Sequence, residues 1–154
     1  MKYLWISLLV IVFDQITKYI ASSQLDYATP MSVIPMFNLT LLHNTGAAFS
    51  FLSDAGGWQR WFFVVLALII SVVLFVWLQR LKPQEKWTAI SLTLILGGAI
   101  GNVVDRTLYG YVIDFLDVYY NSWHWPAFNI ADSAITVGAV ILILEGVLKK
   151  EEKA

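Results

Sequence analysis

Asp14, Asp105, Arg106, Asp114, Asp132 and Glu145 all stand within or at the edges of apolar stretches of this chain. An ionisable group at membrane depth is costly, so each is a candidate for function. Asp114, in YVIDFLD, and Asp132, in FNIADSA, suggest a reaction. Two carboxylates sharing one proton can hydrolyse a peptide bond without a metal or a covalent nucleophile. One takes a proton from water while the other protonates, or hydrogen-bonds, the carbonyl oxygen. Close like charges cannot both ionise, so their proton affinities separate and the acid and base roles follow. Val112, Ile113, Phe115 and Leu116 around Asp114 disfavour its charge, whereas a helix starting near Asp132 favours the anion. Taken singly, plainer readings carry more weight: Asp132 suits a helix N-cap, and Asp114 suits a surface carboxylate on a strand. Spacing alone does not bring the two together.

The elements that must position these groups follow from hydropathy. The chain has 154 residues, 58% hydrophobic and 14% charged, against about 45–50% and about 25% in ordinary soluble domains. Both shifts point to lipid. A spanning helix needs roughly 20 mostly apolar residues, and residues 3–21, 61–79, 87–104 and 130–148 qualify. The length fits a single membrane-embedded domain. The first segment has a rival reading as a cleaved secretory signal, with Lys2, an apolar run and the small residues Ala21-Ser22-Ser23. In a four-span arrangement Lys2, Arg80, Lys82, Lys86, Lys149, Lys150 and Lys153 fall on one side, and Lys18, Arg60 and Arg106 on the other. Seven against three puts both termini and the 80–86 loop in the cytoplasm. Segments 22–60 and 105–131 then face outward, into the periplasm of a Gram-negative cell. Cleavage of the first span would leave that assignment unchanged.

Both outer segments are too long for simple turns. MSVIPMFNLTLLHNTGAAFSF is rich in β-formers and broken by Pro35, Asn44 and Gly46, which reads as short strands around a turn. YGYVIDFLDVYYNSWHWPAFN predicts a strand followed by an aromatic loop at the membrane surface. Together they predict a small β-rich platform above a four-helix bundle, with Trp58 and Trp61 in an aromatic belt.

Other polar residues have plain structural readings. Asn129 precedes Asp132 by three residues and could orient its carboxylate, or simply serve a turn. Asp105 and Arg106 could merely terminate the third span, and Gly97, Gly98 and Gly101 could let helices pack closely. Asp14 and Lys18, at i and i+4, are spaced for an ion pair, with Lys18 able to snorkel outward. Glu145 and Lys149 have the same spacing. His43 and His124 lack ligand spacing and read as polar or stacking residues. No metal or cofactor is expected. A net charge of −1 gives no reason to expect nucleic acid, and the absence of cysteine rules out thiolate chemistry. The motifs of zinc peptidases, serine hydrolases and P-loop nucleotidases are not found.

With FDQITKY, HNTGAAFSF, GGAIGNVVDR, YVIDFLD and FNIADSAITVG in order from the first span to the last, the chain resembles the lipoprotein signal peptidase (signal peptidase II) family. The resemblance favours keeping residues 1–21, since Asp14 and Lys18 match the family's first-span motif. It implies four transmembrane helices, a periplasmic β-cradle and a small interfacial helix. It implies that Asp114 and Asp132 are the catalytic aspartates, that Asn44, Asn102, Arg106 and Asn129 surround them and contact substrate, and that Asp14 is structural. The implied substrates are prolipoproteins bearing a diacylglyceryl cysteine, cleaved just before it by an inner-membrane enzyme among membrane lipids; the sequence leaves the oligomeric state open, and a monomer is the expectation. Two rivals of other classes stand beside this reading. One is a transporter or proton relay using Asp14, Asp114 and Asp132, the other a membrane-anchored binding module.

Overall fold

A computed structural model describes residues 3–46 and 57–151. Four helices form at the four apolar segments: α1 (Leu4–Gln24), α2 (Trp58–Arg80), α3 (Lys86–Leu108) and α4 (Ile130–Glu151). All are long and apolar enough to cross a membrane. Each outruns its hydropathic core, because backbone hydrogen bonding continues into the interface after the apolar run ends. α1 stops where Leu25 turns extended (φ −107°, ψ 139°). α2 stops just before Pro83, which biases the preceding residue away from helix.

Between α1 and α2 lie β1 (Met31–Ile34) and β2 (Phe37–Asn44), and between α3 and α4 lie β3 (Val112–Tyr120) and β4 (Trp123–His124). They join in one antiparallel sheet of order β1-β2-β3-β4. This is the platform expected from the outer segments. Pro35 and Met36 make the β1–β2 turn, with Met36 at positive φ (71°). Residues 47–56, which include the Ala47–Phe51 part of the HNTGAAFSF motif, lie outside the described residues, and the four helices above are the only long ones among those described. The implied interfacial helix is not among them.

Register explains how the sheet serves the site. Leu39 pairs with Leu116 and Leu42 with Asp114, so β2 spends three residues where β3 spends two. That is a β-bulge, a device often found beside functional sites. Directly opposed residues share a face, and side chains alternate along a strand. Ahead of the bulge, Asn38 and Thr40 share the face of Asp117; beyond it, Leu42 and Asn44 share the face of Asp114. Without the extra residue Asn44 would point to the wrong side.

α3 is the central helix, packed against α1, α2 and α4. Its small residues permit this. A Cβ on Gly98 would lie 2.3 Å from the Ala131 carbonyl oxygen, and one on Gly101 would lie 2.8 Å from Asp14 Oδ2. Leu74, Leu78, Ala89 and Leu92 form the apolar core at the end of the bundle remote from the sheet. α1, α2 and α4 leave large side chains such as Phe13, Ile16, Val72 and Leu144 outward-facing, as helices in lipid do.

Candidate active site

The site grows from the start of α4. Asn129 Oδ1 accepts from the Asp132 backbone amide (2.8 Å), and Asp132 Oδ2 accepts from the Asn129 backbone amide (3.3 Å). This reciprocal pair is a capping box. Asn129 is therefore the N-cap, and Asp132 sits three residues in, a correction to the simple expectation of Asp132 as cap. A third capping bond comes from another helix: Asp14 Oδ1 accepts from Ala131 N (2.9 Å). Asn102 Nδ2 completes the shell by donating to Asp132 Oδ1 (2.7 Å).

Asp114 approaches from β3. Its Oδ1 accepts from Asn129 Nδ2 (2.7 Å) and its Oδ2 from Asn44 Nδ2 (3.0 Å). One asparagine thus touches both aspartates, donating to Asp114 from its side chain and closing the capping box with Asp132. Because Asn129 Oδ1 must face the Asp132 N–H, its Nδ2 can only point toward Asp114. Burial pushes the Asp114 carboxyl up to about 7, and the negative charge of Asp132 adds to the shift. Asn44, Asn129 and the Lys18 cation pull the other way. Desolvation outweighs these donors, so Asp114 holds a proton far more readily than an exposed carboxyl.

Asp114 and Asp132 line one cavity of about 870 Å³, together with Asn44, Asn102 and Arg106. Arg106 donates from Nη2 to the Gly46 carbonyl (2.9 Å) and lies over the Phe63 ring (5.2 Å to its centre). Trp125 and Phe128 wall the opening from the aromatic loop, and Ser133 and Thr136 line it from α4. Asp114, Asp132, Asn44, Asn102, Arg106 and Asn129 are all brought to one place.

Two expectations change. Lys18 does not snorkel outward: it is 1% exposed, and its ammonium meets Asp14 Oδ2 and Asp105 Oδ2, both at 2.8 Å. The expected Asp14–Lys18 pair exists, but it is buried and shared with Asp105. Asp105 is likewise no interfacial helix terminator. It is fully buried and accepts from the Ile113 backbone amide at 3.0 Å. Gln15 belongs to the same cluster, although a census of ionisable groups does not reveal it. It donates from Nε2 to Asp105 Oδ1 (2.8 Å), Asp14 Oδ2 (3.2 Å) and the Gly101 carbonyl (3.3 Å), and a lone amide inside an apolar span was the available signal.

The remaining outlying groups sort as follows. Glu145 accepts from Thr88 Oγ1, joining α4 to α3, while the Lys149 side chain lies outside the described residues. His43 stacks on Tyr111 (ring centres 4.0 Å apart), and His124 pairs with Asp117 (2.7 Å) and stacks on Tyr119, as polar stacking residues would.

Comparison with known proteins agrees with this architecture. Two solved structures, each described as a bacterial membrane enzyme studied by the in meso method, superpose on the chain. One has a TM-score of 0.89 at 32% identity, covering 99% of this chain and 92% of its own. The other has a TM-score of 0.81 at 33% identity, covering 94% and 91%. Proteins named lipoprotein signal peptidase are close in sequence. That of Alteromonas mediterranea is 52% identical, over 94% of this chain and 80% of the relative. That of Vibrio vulnificus is 47% identical, over 99% and 92%. The family model described as signal peptidase (SPase) II matches residues 6–148, and the chain belongs to that family.

Proposed function

We propose that this protein is an aspartic endopeptidase that removes the signal peptide from diacylglyceryl-modified prolipoproteins, cleaving before the lipidated cysteine. The observation that carries the chemistry is the joint placement of Asp114 and Asp132 on one cavity, bridged by Asn129. The family supports the substrate class, since its curated relatives are named for lipoproteins.

In this reading Asp114 carries the shared proton and Asp132 is ionised. Asp132 takes a proton from a water molecule as the water oxygen attacks the scissile carbonyl, and Asp114 gives its proton to the carbonyl oxygen. The tetrahedral diol then collapses. Asp132 passes its proton to the departing amine nitrogen, and Asp114 recovers one from a diol hydroxyl. Both carboxyls end as they began. Arg106, Asn44 and Asn102 would orient the substrate backbone and the aspartates, while the substrate's acyl chains occupy lipid beside the bundle.

The whole chain would act as one membrane-embedded domain and as a monomer in the inner membrane. Lys18 is buried, so it drops from the outward count and leaves Arg60 and Arg106 there. The bias toward cytoplasmic termini and a cytoplasmic 80–86 loop is then stronger, which supports a sheet and a site on the periplasmic side. A proton relay would need ionisable groups stepping through the bilayer. Asp14, Lys18, Asp105, Asp114 and Asp132 instead cluster near the sheet end, with Glu145 apart from them.

Separate Asp114→Asn and Asp132→Asn variants, assayed on a diacylglyceryl-modified prolipoprotein, test the reading. Each should fold and lose activity by roughly 10²–10⁴-fold, the range of a general acid or base. Near-wild-type cleavage by either folded variant would refute the pair.

A further inference from the structure

We propose that Lys18 is a positioning residue for this reaction, holding Asn102 in the orientation that serves Asp132 and tying together the two carboxylates that anchor β3 and α4. The inference rests on the aspartic reading above.

The three hydrogens of the Lys18 ammonium have three partners: Asp14 Oδ2 and Asp105 Oδ2 at 2.8 Å, and Asn102 Oδ1 at 3.0 Å. An ammonium donates and never accepts. The atom of Asn102 that faces it must therefore be the oxygen, which leaves Nδ2 to face Asp132 Oδ1 at 2.7 Å. A neutral neighbour able to donate or accept would not distinguish the two ends of the amide. Asn129 Nδ2 also reaches Asn102 Oδ1 (3.2 Å), so the oxygen end is held twice.

The two carboxylates bound to Lys18 each also accept from a backbone amide beside a site aspartate. Asp14 Oδ1 holds Ala131 N, one residue before Asp132, and Asp105 Oδ2 holds Ile113 N, one residue before Asp114. Lys18 thus links the anchor of the helix carrying one aspartate to the anchor of the strand carrying the other. Gln15 spans the same two carboxylates. The residues involved are sealed: Lys18 is 1% exposed, and Asp14 and Asp105 are 0%. A buried ion cluster is weak evidence for stability, because desolvation offsets the attraction and well-packed apolar groups often do as well. What it supplies here is direction, with three donors aimed at three fixed acceptors.

The test uses Lys18→Gln and the double variant Lys18→Met/Asp105→Asn, which removes one positive and one negative charge together. Each is purified in detergent with the wild type, Asp114→Asn and Asp132→Asn. Thermal unfolding and cleavage of a diacylglyceryl-modified prolipoprotein are measured from acid to alkaline pH. The positioning role expects the double variant to unfold near the wild-type temperature yet lose kcat on the order of 10²-fold, the scale of a small misplacement of reacting groups, with KM within about twofold. It also expects the alkaline limb of the Lys18→Gln profile to move to higher pH, because the cation that draws the proton from Asp114 is gone. A folded double variant with wild-type kcat overturns the proposal, as does a loss confined to KM. Failure of both variants to fold assigns Lys18 to the scaffold alone and overturns it too. If Asp114→Asn or Asp132→Asn stays active, the aspartic reading falls; if both are inactive while the Lys18 variants turn over normally, only the positioning role falls.

Discussion

Asn129 donates to Asp114 from Nδ2 and accepts from the Asp132 amide at Oδ1, so one side chain ties a strand residue to the first turn of a helix. The two roles can be separated by substitution. Serine is about as good an N-cap as asparagine, but it has no amide to reach Asp114. Asn129→Ser should therefore keep the cap but lose turnover roughly tenfold and about 1–3 kcal/mol of stability, the cost of leaving the buried acceptors around Nδ2 unpaired. Asn129→Ala should lose turnover similarly and be less stable still, by about a further 1 kcal/mol for the missing cap. Equal unfolding temperatures for Ser and Ala variants would show that the cap contributes nothing. At this scale the sequence was informative about which residues matter and less so about their partners. FNIADSA marked a helix start, because cap residues act locally, yet it assigned the cap to Asp132. The reciprocal bonds give it to Asn129.

At the scale of elements, α3 decides where α4 begins. Gly98 lies against the Ala131 carbonyl, one residue from Asp132, with the Ile135 side chain beside it. A methyl at Gly98 would meet backbone that cannot rotate away. Gly98→Ala should push α4 outward, cost about 1–3 kcal/mol as overpacking does, and impair cleavage, read as a lower unfolding temperature with a reduced kcat. Gly146 faces open space, so Gly146→Ala is the control, and an equal effect there would show that close approach is not the cause. The small residues of the third span were legible as packing positions. The β2 bulge was not: its extra residue is defined only by comparison with β3, yet it alone turns Asn44 toward Asp114.

For the molecule as a whole, one connected polar network sits inside a protein whose outer surface is made for lipid. Asp14, Gln15, Lys18, Asn102, Asp105, Asn129 and both site aspartates are joined by contacts of 2.7–3.0 Å from three helices and the sheet. Outside it, Trp58 and Trp61 stand exposed at the head of α2, where an aromatic belt belongs. The proposed orientation is open to direct measurement, since the chain has no cysteine. Ser122, beside the β3–β4 turn, and Gln84, between α2 and α3, are both exposed. In intact cells with a permeabilised outer membrane, Ser122→Cys should react with a membrane-impermeant maleimide and Gln84→Cys only after lysis. The opposite pattern would invert the topology and place the site in the cytoplasm.

The sequence by itself determined the four spans and the β-rich platform, and it singled out most of the polar residues that the structure gathers around the cavity. Hydropathy, turn residues and cap residues all act over a few neighbours, so their signals survive in one dimension. The tertiary structure decided which of those residues meet. Lys18 reaches Asn102, 84 residues along the chain, and Asp14 reaches Ala131, 117 residues along. A lysine near a helix end would ordinarily seek water. It is buried here because Asp14, one turn away, is joined by the Asp105 carboxylate and the Asn102 amide oxygen from another helix, so that all three of its hydrogens are satisfied, and of these partners only Asp14 is encoded by a local pattern.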